Sequence, residues 1–172
     1  MIYLFIIVCI CVYAFMPDCT VLGVANDSLM HSFTYQFAHG SWIHLFINAL
    51  SLILMYNPIR KIYMERFGYV NQFSFFCHLY CGSVLAALLC TQDIPTVGAS
   101  GIVFFLLGEL LLLRPTLRQL QGYIYVAIAI IVQIIRGKSN VALHIVAFVL
   151  GALFIIIRVF CREYSNRFEG ID

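Results

Sequence analysis

The sequence predicts an all-α membrane protein: a single domain over residues 1–172, built as a bundle of six transmembrane helices with a long, partly helical first extracytoplasmic loop. Three observations carry this expectation. The 172 residues are 63% hydrophobic and only 10% charged, with a mean hydropathy of +0.97, more apolar surface than a water-soluble domain of this size can hide. The apolar residues fall into six runs bounded by charge or turn residues, most of them near the length a bilayer demands. The Lys and Arg residues gather on one side of the zigzag those runs define. A net charge of +2, with no basic cluster beyond Arg60-Lys61, argues against a nucleic-acid partner.

The first run, Ile2 to Met16, holds roughly 15 residues against the roughly 20 of a usual span, so it borrows flanking residues or crosses a thinned bilayer. It has neither the basic leader nor the small-residue cleavage site of a secretory signal peptide. The segment from Pro17 to Ser41 follows, about 25 residues without a span of its own, and a connection of that length is expected to be functional. Phe33, Tyr35, Phe37 and His39, set among polar residues, predict partly helical structure lying in the membrane interface. The remaining runs are Trp42 to Ile59, Tyr69 to Cys90, Val97 to Leu113, the short Gly122 to Ile135, and Val141 to Phe160. Six crossings place Arg60, Lys61, Arg66, Arg114, Arg118, Arg158, Arg162 and Arg167 on one side and only Arg136 and Lys138 on the other. Both termini are therefore expected in the cytoplasm. The outward side then holds Pro17 to Ser41, the turn Thr91 to Thr96 and the loop Arg136 to Asn140. The seven cysteines show no disulfide spacing; six lie in or at spans, and only Cys19 and Cys90 are expected within reach of an oxidising compartment.

Polar groups inside apolar runs are costly unless paired or functional, and four of them point the same way. In "WIHLFINALSL", His44 and Asn48 stand four residues apart, on one face of the outward end of the second span. In "NVALHIVAFVLGALF", His144 lies about one turn in from the outward loop, with Ala147 and Gly151 along the same face offering close helix approach. In "TVGASGIVFF", Ser100 opens the fourth span between Gly98 and Gly101, whose small size is expected to admit the histidine helix. Each has a structural reading on its own: an interhelical hydrogen bond, a packed core histidine, a helix cap. Topology places all four at one depth, where an imidazole suits the proton transfer a nucleophilic serine needs and helix N-terminal amides suit an oxyanion.

These residues resemble the rhomboid family of intramembrane serine proteases, through "HGSWIHLFIN", the "GASG" around Ser100, and "ALHIVAFVLG" ending at Gly151. The resemblance implies a rhomboid-like bundle and an endopeptidase that cuts other membrane proteins in or near their transmembrane segments. It implies Ser100 as nucleophile and His144 as general base and acid, a dyad without a carboxylate or any cofactor or metal. It further implies oxyanion stabilisation by His44, Asn48 and the Ser100 N–H, with His39 structural in the first outward loop. The loop Arg136 to Asn140, hinged at Gly137, would cap a water-filled cavity, and the fifth span would be a lateral gate for the substrate. The implied setting is the inner membrane of a bacterial cell, with the site open to the extracytoplasmic side; an organellar membrane is the alternative.

The chain departs from the family pattern in places. Met30 and His31 stand where many relatives carry Trp-Arg, Phe104 where a Tyr often underlies the histidine, and Ala147 where Gly is common. Glu65 and Gly68 of "MERFG" approximate a family element one residue out of step. Glu109, nine residues past Ser100 or about 13 Å along a helix, is too far to orient His144; it is expected to reach Arg114, the cytoplasmic interface or a polar pocket. Asp27 and Asp93 are outward acids that nothing ties to the histidine, and His78 reads as an interhelical hydrogen-bonder. Three other functions stay open: a non-catalytic rhomboid-like protein binding transmembrane clients, a metal or haem protein using His31, His39, His44 and His144, and a transporter. The sequence lacks HExxH, and its polar midplane groups are few, among them Ser74, His78, Glu109 and Gln133.

Overall fold

The computed structural model describes residues 1–16, 18–24, 29–90, 95–113, 124, 128 and 140–168. Their bounded α-helices are α1 (Ile2–Phe15), α2 (His31–Thr34), α3 (Trp42–Phe67), α4 (Gln72–Leu89), α5 (Ser100–Leu112) and α6 (Val141–Phe168), with a 3₁₀ turn at Cys19–Leu22. Trp42–Phe67, Gln72–Leu89 and Val141–Tyr164 are long and apolar enough to cross a membrane; Ile2–Phe15 and Ser100–Leu112 are apolar but shorter. Of the expected fifth span only Ile124 and Ile128 are described, both helical and exposed. The rest of that span lies outside the described residues, as do Arg114, Arg118, Asp27, Asp93, Gln133 and all of the proposed cap loop but Asn140.

Short polar side chains start the three long helices. Ser41 Oγ accepts from the His44 N–H at 3.1 Å, Asn71 Oδ1 from Ser74 at 2.8 Å and Asn140 Oδ1 from Leu143 at 3.0 Å, each satisfying an amide the helix leaves orphaned. The α3 helix runs eight residues past the expected end of its span. Pro58 lacks the N–H to bond back into the preceding turn, yet helix continues through it to Gly68, whose φ of 88° and N–H bond to Met64 O at 2.9 Å stop the helix. Arg60 and Arg66 from this extension donate to the Val70 and Leu112 carbonyls, at 2.8 and 2.9 Å, tying the end of α3 to the α4 approach and to the end of α5.

Helix α5 is the centre of the bundle. Every residue from Ser100 to Leu110 is buried, so apolar surface all round the helix is covered by neighbours. Its closest partner is α6, and the contact is backbone on backbone. A Cβ added at Gly108 would run into the Phe148 carbonyl of α6, and one added at Gly151 into the Phe105 carbonyl of α5. The sequence expected close approach at Gly151 and Ala147, as found, and also at Gly98 and Gly101, to which the structure gives other neighbours. Ala147 is fully buried in the same seam.

The described part of the first loop holds the 3₁₀ turn and α2, and Val24 pairs antiparallel with Thr96 through two hydrogen bonds of 2.9 Å, fastening it to the segment before α5. All seven cysteines are free. Cys19 is buried, its thiol against the Val12 and Met16 carbonyls, because the 3₁₀ turn folds back onto the end of α1; it is not the accessible thiol the sequence suggested. Glu109 is wholly buried too, and its partner is His78 of α4, with Nε2 2.7 Å from Oε1. Of the expected alternatives, this is the polar pocket, and it is closed by α4.

Gly108→Ala and Gly151→Ala are each expected to cost about 1–3 kcal/mol by forcing α5 and α6 apart. Thermal unfolding in detergent, followed by maleimide labelling of buried thiols such as Cys9, should show both midpoints lowered. Gly40→Ala, whose Cβ would sit 3.9 Å from Val97, should match wild type.

Candidate active site

The chain before α5 turns sharply at Gly98, whose φ of 123° is closed to residues with a Cβ. Two consecutive amides after the turn are held by the first loop: Gly98 N–H donates to Tyr35 O at 2.9 Å, and Ala99 N–H to His39 Nε2 at 3.4 Å. Ser100 follows as the first residue of α5, with Ala99 rather than the serine at the capping position. Its N–H therefore has no partner four residues back within the helix.

Ser100 Oγ lies 2.8 Å from His144 Nε2, and both side chains are buried. The imidazole is set by its own helix start at Asn140 and by Phe104, one turn along α5. The Phe104 ring stacks on it at 4.3 Å between centroids and 17° between planes. Stacking needs only the ring face, so Phe serves where a Tyr would, without a hydroxyl. Asn140 also reaches across to Thr96 Oγ1, at 3.3 Å, linking the start of α6 to the segment before α5.

His44 and Asn48 converge on the same turn. A Cβ at Gly98 would stand 2.8 Å from His44 Nε2 and 3.2 Å from Asn48 Nδ2, so the glycine is the gap that lets both side chains close over the serine loop. Asn48 is buried, and its Nδ2 has no hydrogen-bond partner among the described residues. An unpaired buried amide is costly, and it is suited to a donor kept for an oxygen that arrives with a ligand. His39 packs edge-on to His44 at 5.2 Å. Gly101 sits under Tyr35 and Ser83, and Gly151 in the α5–α6 seam.

The structure thus brings Ser100, His144, His44, Asn48, His39, Gly98 and Phe104 to one end of α5. The sequence reading missed Tyr35, Ser83 and Thr96 as neighbours of this site. Single hydroxyls in apolar helices and loops carry no spacing signal, and only the folded chain shows what they touch.

His39 lies in the loop, outside the spans. Burial, reinforced by neighbouring His44, pushes it down to about 4, against a smaller upward pull from the Phe37 backbone. The folded protein keeps it neutral, as its acceptor role toward Ala99 requires, while the unfolded chain protonates it near 6.5. Its contribution is whole above pH 6.5 and falls as pH drops toward 4, by ~2 kcal/mol at pH 5. Unfolding midpoints measured from pH 7.5 to 5 should decline, and His39→Gln, which cannot titrate, should flatten that decline.

The chain matches the family model of the Rhomboid domain over residues 26–160. No curated protein matches it.

Proposed function

The chain belongs to the rhomboid family, and on that premise we propose that it is an intramembrane serine endopeptidase working through a Ser100–His144 dyad. The observation that carries the reading is the buried 2.8 Å hydrogen bond between Ser100 Oγ and His144 Nε2. A non-catalytic member binding transmembrane clients has no need of that bond.

In the forward step Ser100 Oγ attacks the scissile carbonyl carbon while its proton passes to His144 Nε2. The electron pair moves to the carbonyl oxygen, which takes hydrogen bonds from Asn48 Nδ2, His44 and the Ser100 N–H. Collapse breaks the C–N bond, and His144 returns its proton to the leaving amine. A water then attacks the acyl ester with His144 again as base, and Ser100 is released.

Phe104 stacking and the fixed start of α6 orient the imidazole. Helix α5 has 13 residues, about 20 Å, which is less than the ~30 Å hydrocarbon layer. In this reading the Leu112 end, tied to Arg66, is set at the cytoplasmic interface by the Arg charge, which puts Ser100 inside the layer on the other side. Substrates are transmembrane segments of other proteins, unwound near their outward ends so that backbone reaches the serine. The bundle has six spans, both termini are cytoplasmic and the site opens to the extracytoplasmic side of a bacterial inner membrane.

Ser100→Ala and His144→Ala are each expected to abolish fluorophosphonate labelling in detergent and cleavage of a reconstituted transmembrane substrate, with unfolding midpoints close to wild type. Persistent cleavage by Ser100→Ala would sink the dyad. Asn48→Ala should lower kcat by about 10²-fold with little change in KM, the signature of a donor used in the transition state.

A further inference from the structure

Ser100 is only as well placed as the turn that carries it, and one residue of the first loop holds that turn on both sides. Tyr35, just past α2, is fully buried, far from the usual setting of an interfacial loop tyrosine. Its backbone carbonyl accepts the Gly98 N–H at 2.9 Å, two residues before the serine. Its hydroxyl is 2.6 Å from Ser83 Oγ on α4 and donates to the Ser83 carbonyl at 3.2 Å. The pair lies directly on the residue after the serine, because a Cβ at Gly101 would occupy the place of the Ser83 and Tyr35 hydroxyl oxygens. Ser83 is fully buried as well.

From this juxtaposition we infer that Tyr35, braced by Ser83, is a positioning residue for Ser100, which it reaches from residues 98 and 101 without touching the reacting atoms. The inference rests on the protease reading. The physical reason for a braced hydroxyl here is geometric. The turn at Gly98 and the glycine at 101 remove the side-chain packing that ordinarily fixes the first turn of a helix, and a glycine-flanked serine has more backbone freedom than a nucleophile tolerates. The hydroxyl pair replaces that packing from above, and its hydrogen bond stops the tyrosine ring from withdrawing toward the interface. The other contacts of this turn act on different atoms: His39 takes the Ala99 N–H and Val24 pairs with Thr96. Tyr35 reaches the chain on both sides of the serine, at residues 98 and 101.

The test uses the full chain in detergent and three variants: Tyr35→Phe, Ser83→Ala and the two combined. Fluorophosphonate labelling of Ser100 separates two effects. Its final amplitude counts folded molecules, and its rate constant reports how the serine is presented. Each single variant is expected to label roughly 10-fold more slowly at near-wild-type amplitude, and to lose kcat rather than KM on a transmembrane substrate. The double variant should be no slower than Tyr35→Phe alone, because losing the phenol already removes the hydroxyl–hydroxyl bond that Ser83→Ala breaks. Wild-type rate constants with lowered amplitude would make the pair a stabilising contact only and overturn the inference, as would losses that multiply in the double variant. Absence of labelling in the wild type overturns the protease reading, and this inference with it.

Discussion

With no Cβ at Gly108 or Gly151, the α5 and α6 backbones meet carbonyl against Cα, closer than helices bearing ordinary side chains can pack. The distance between these two helices decides whether a serine on one reaches an imidazole on the other. Ser100 lies two turns before Gly108, and His144 two turns before Gly151. Both polar groups sit at the same end of the seam and point across it. Ala147, between His144 and Gly151, keeps the approach close over the whole interval.

A polar cluster at the opposite end of α5 bears on the same geometry. His78 of α4 meets Glu109, and its ring is stacked on Phe154 of α6 at 5.0 Å and on Tyr63 of α3 at 5.8 Å. Arg158 of α6 lies over the Tyr63 ring at 4.6 Å. Four helices therefore share one set of contacts below the seam, which resists sliding of α6 along α5. A buried carboxylate and imidazole serve this purpose better than apolar groups, since their hydrogen bond has one register and apolar contacts have many.

At the site end, the constraint comes from the loop. Thr96, Gly98 and Ala99 each bond to the first loop, so the chain entering α5 is fixed almost residue by residue before the helix begins. The loop's backbone is used to hold another segment, and residues such as Tyr35, His39 and Val24 face inward although they belong to a surface loop.

Much of this was legible from the chain alone. Apolar run lengths set the helical class and nearly all the described helix positions. The four-residue spacing of His44 and Asn48 marked one helix face, and the places of Ser100 and His144 near the starts of their apolar runs marked groups to be brought together, because hydrocarbon penalises polar groups regardless of the fold around them. The failures share a cause. Gly151 and Ala147 were read rightly as a close-approach face, but Gly98 and Gly101 were added to that contact and Gly108 was missed, the polar pocket open to Glu109 was not traced to His78, Cys19 was left accessible, and α3 was stopped eight residues short. Sequence determined which residues are small, polar or apolar and where along its apolar run each falls, since the bilayer acts on one helix at a time. Only the tertiary structure decided which neighbour each residue faces, because rotation of a helix about its axis is set by packing among helices, and a single uniformly apolar run carries no record of it.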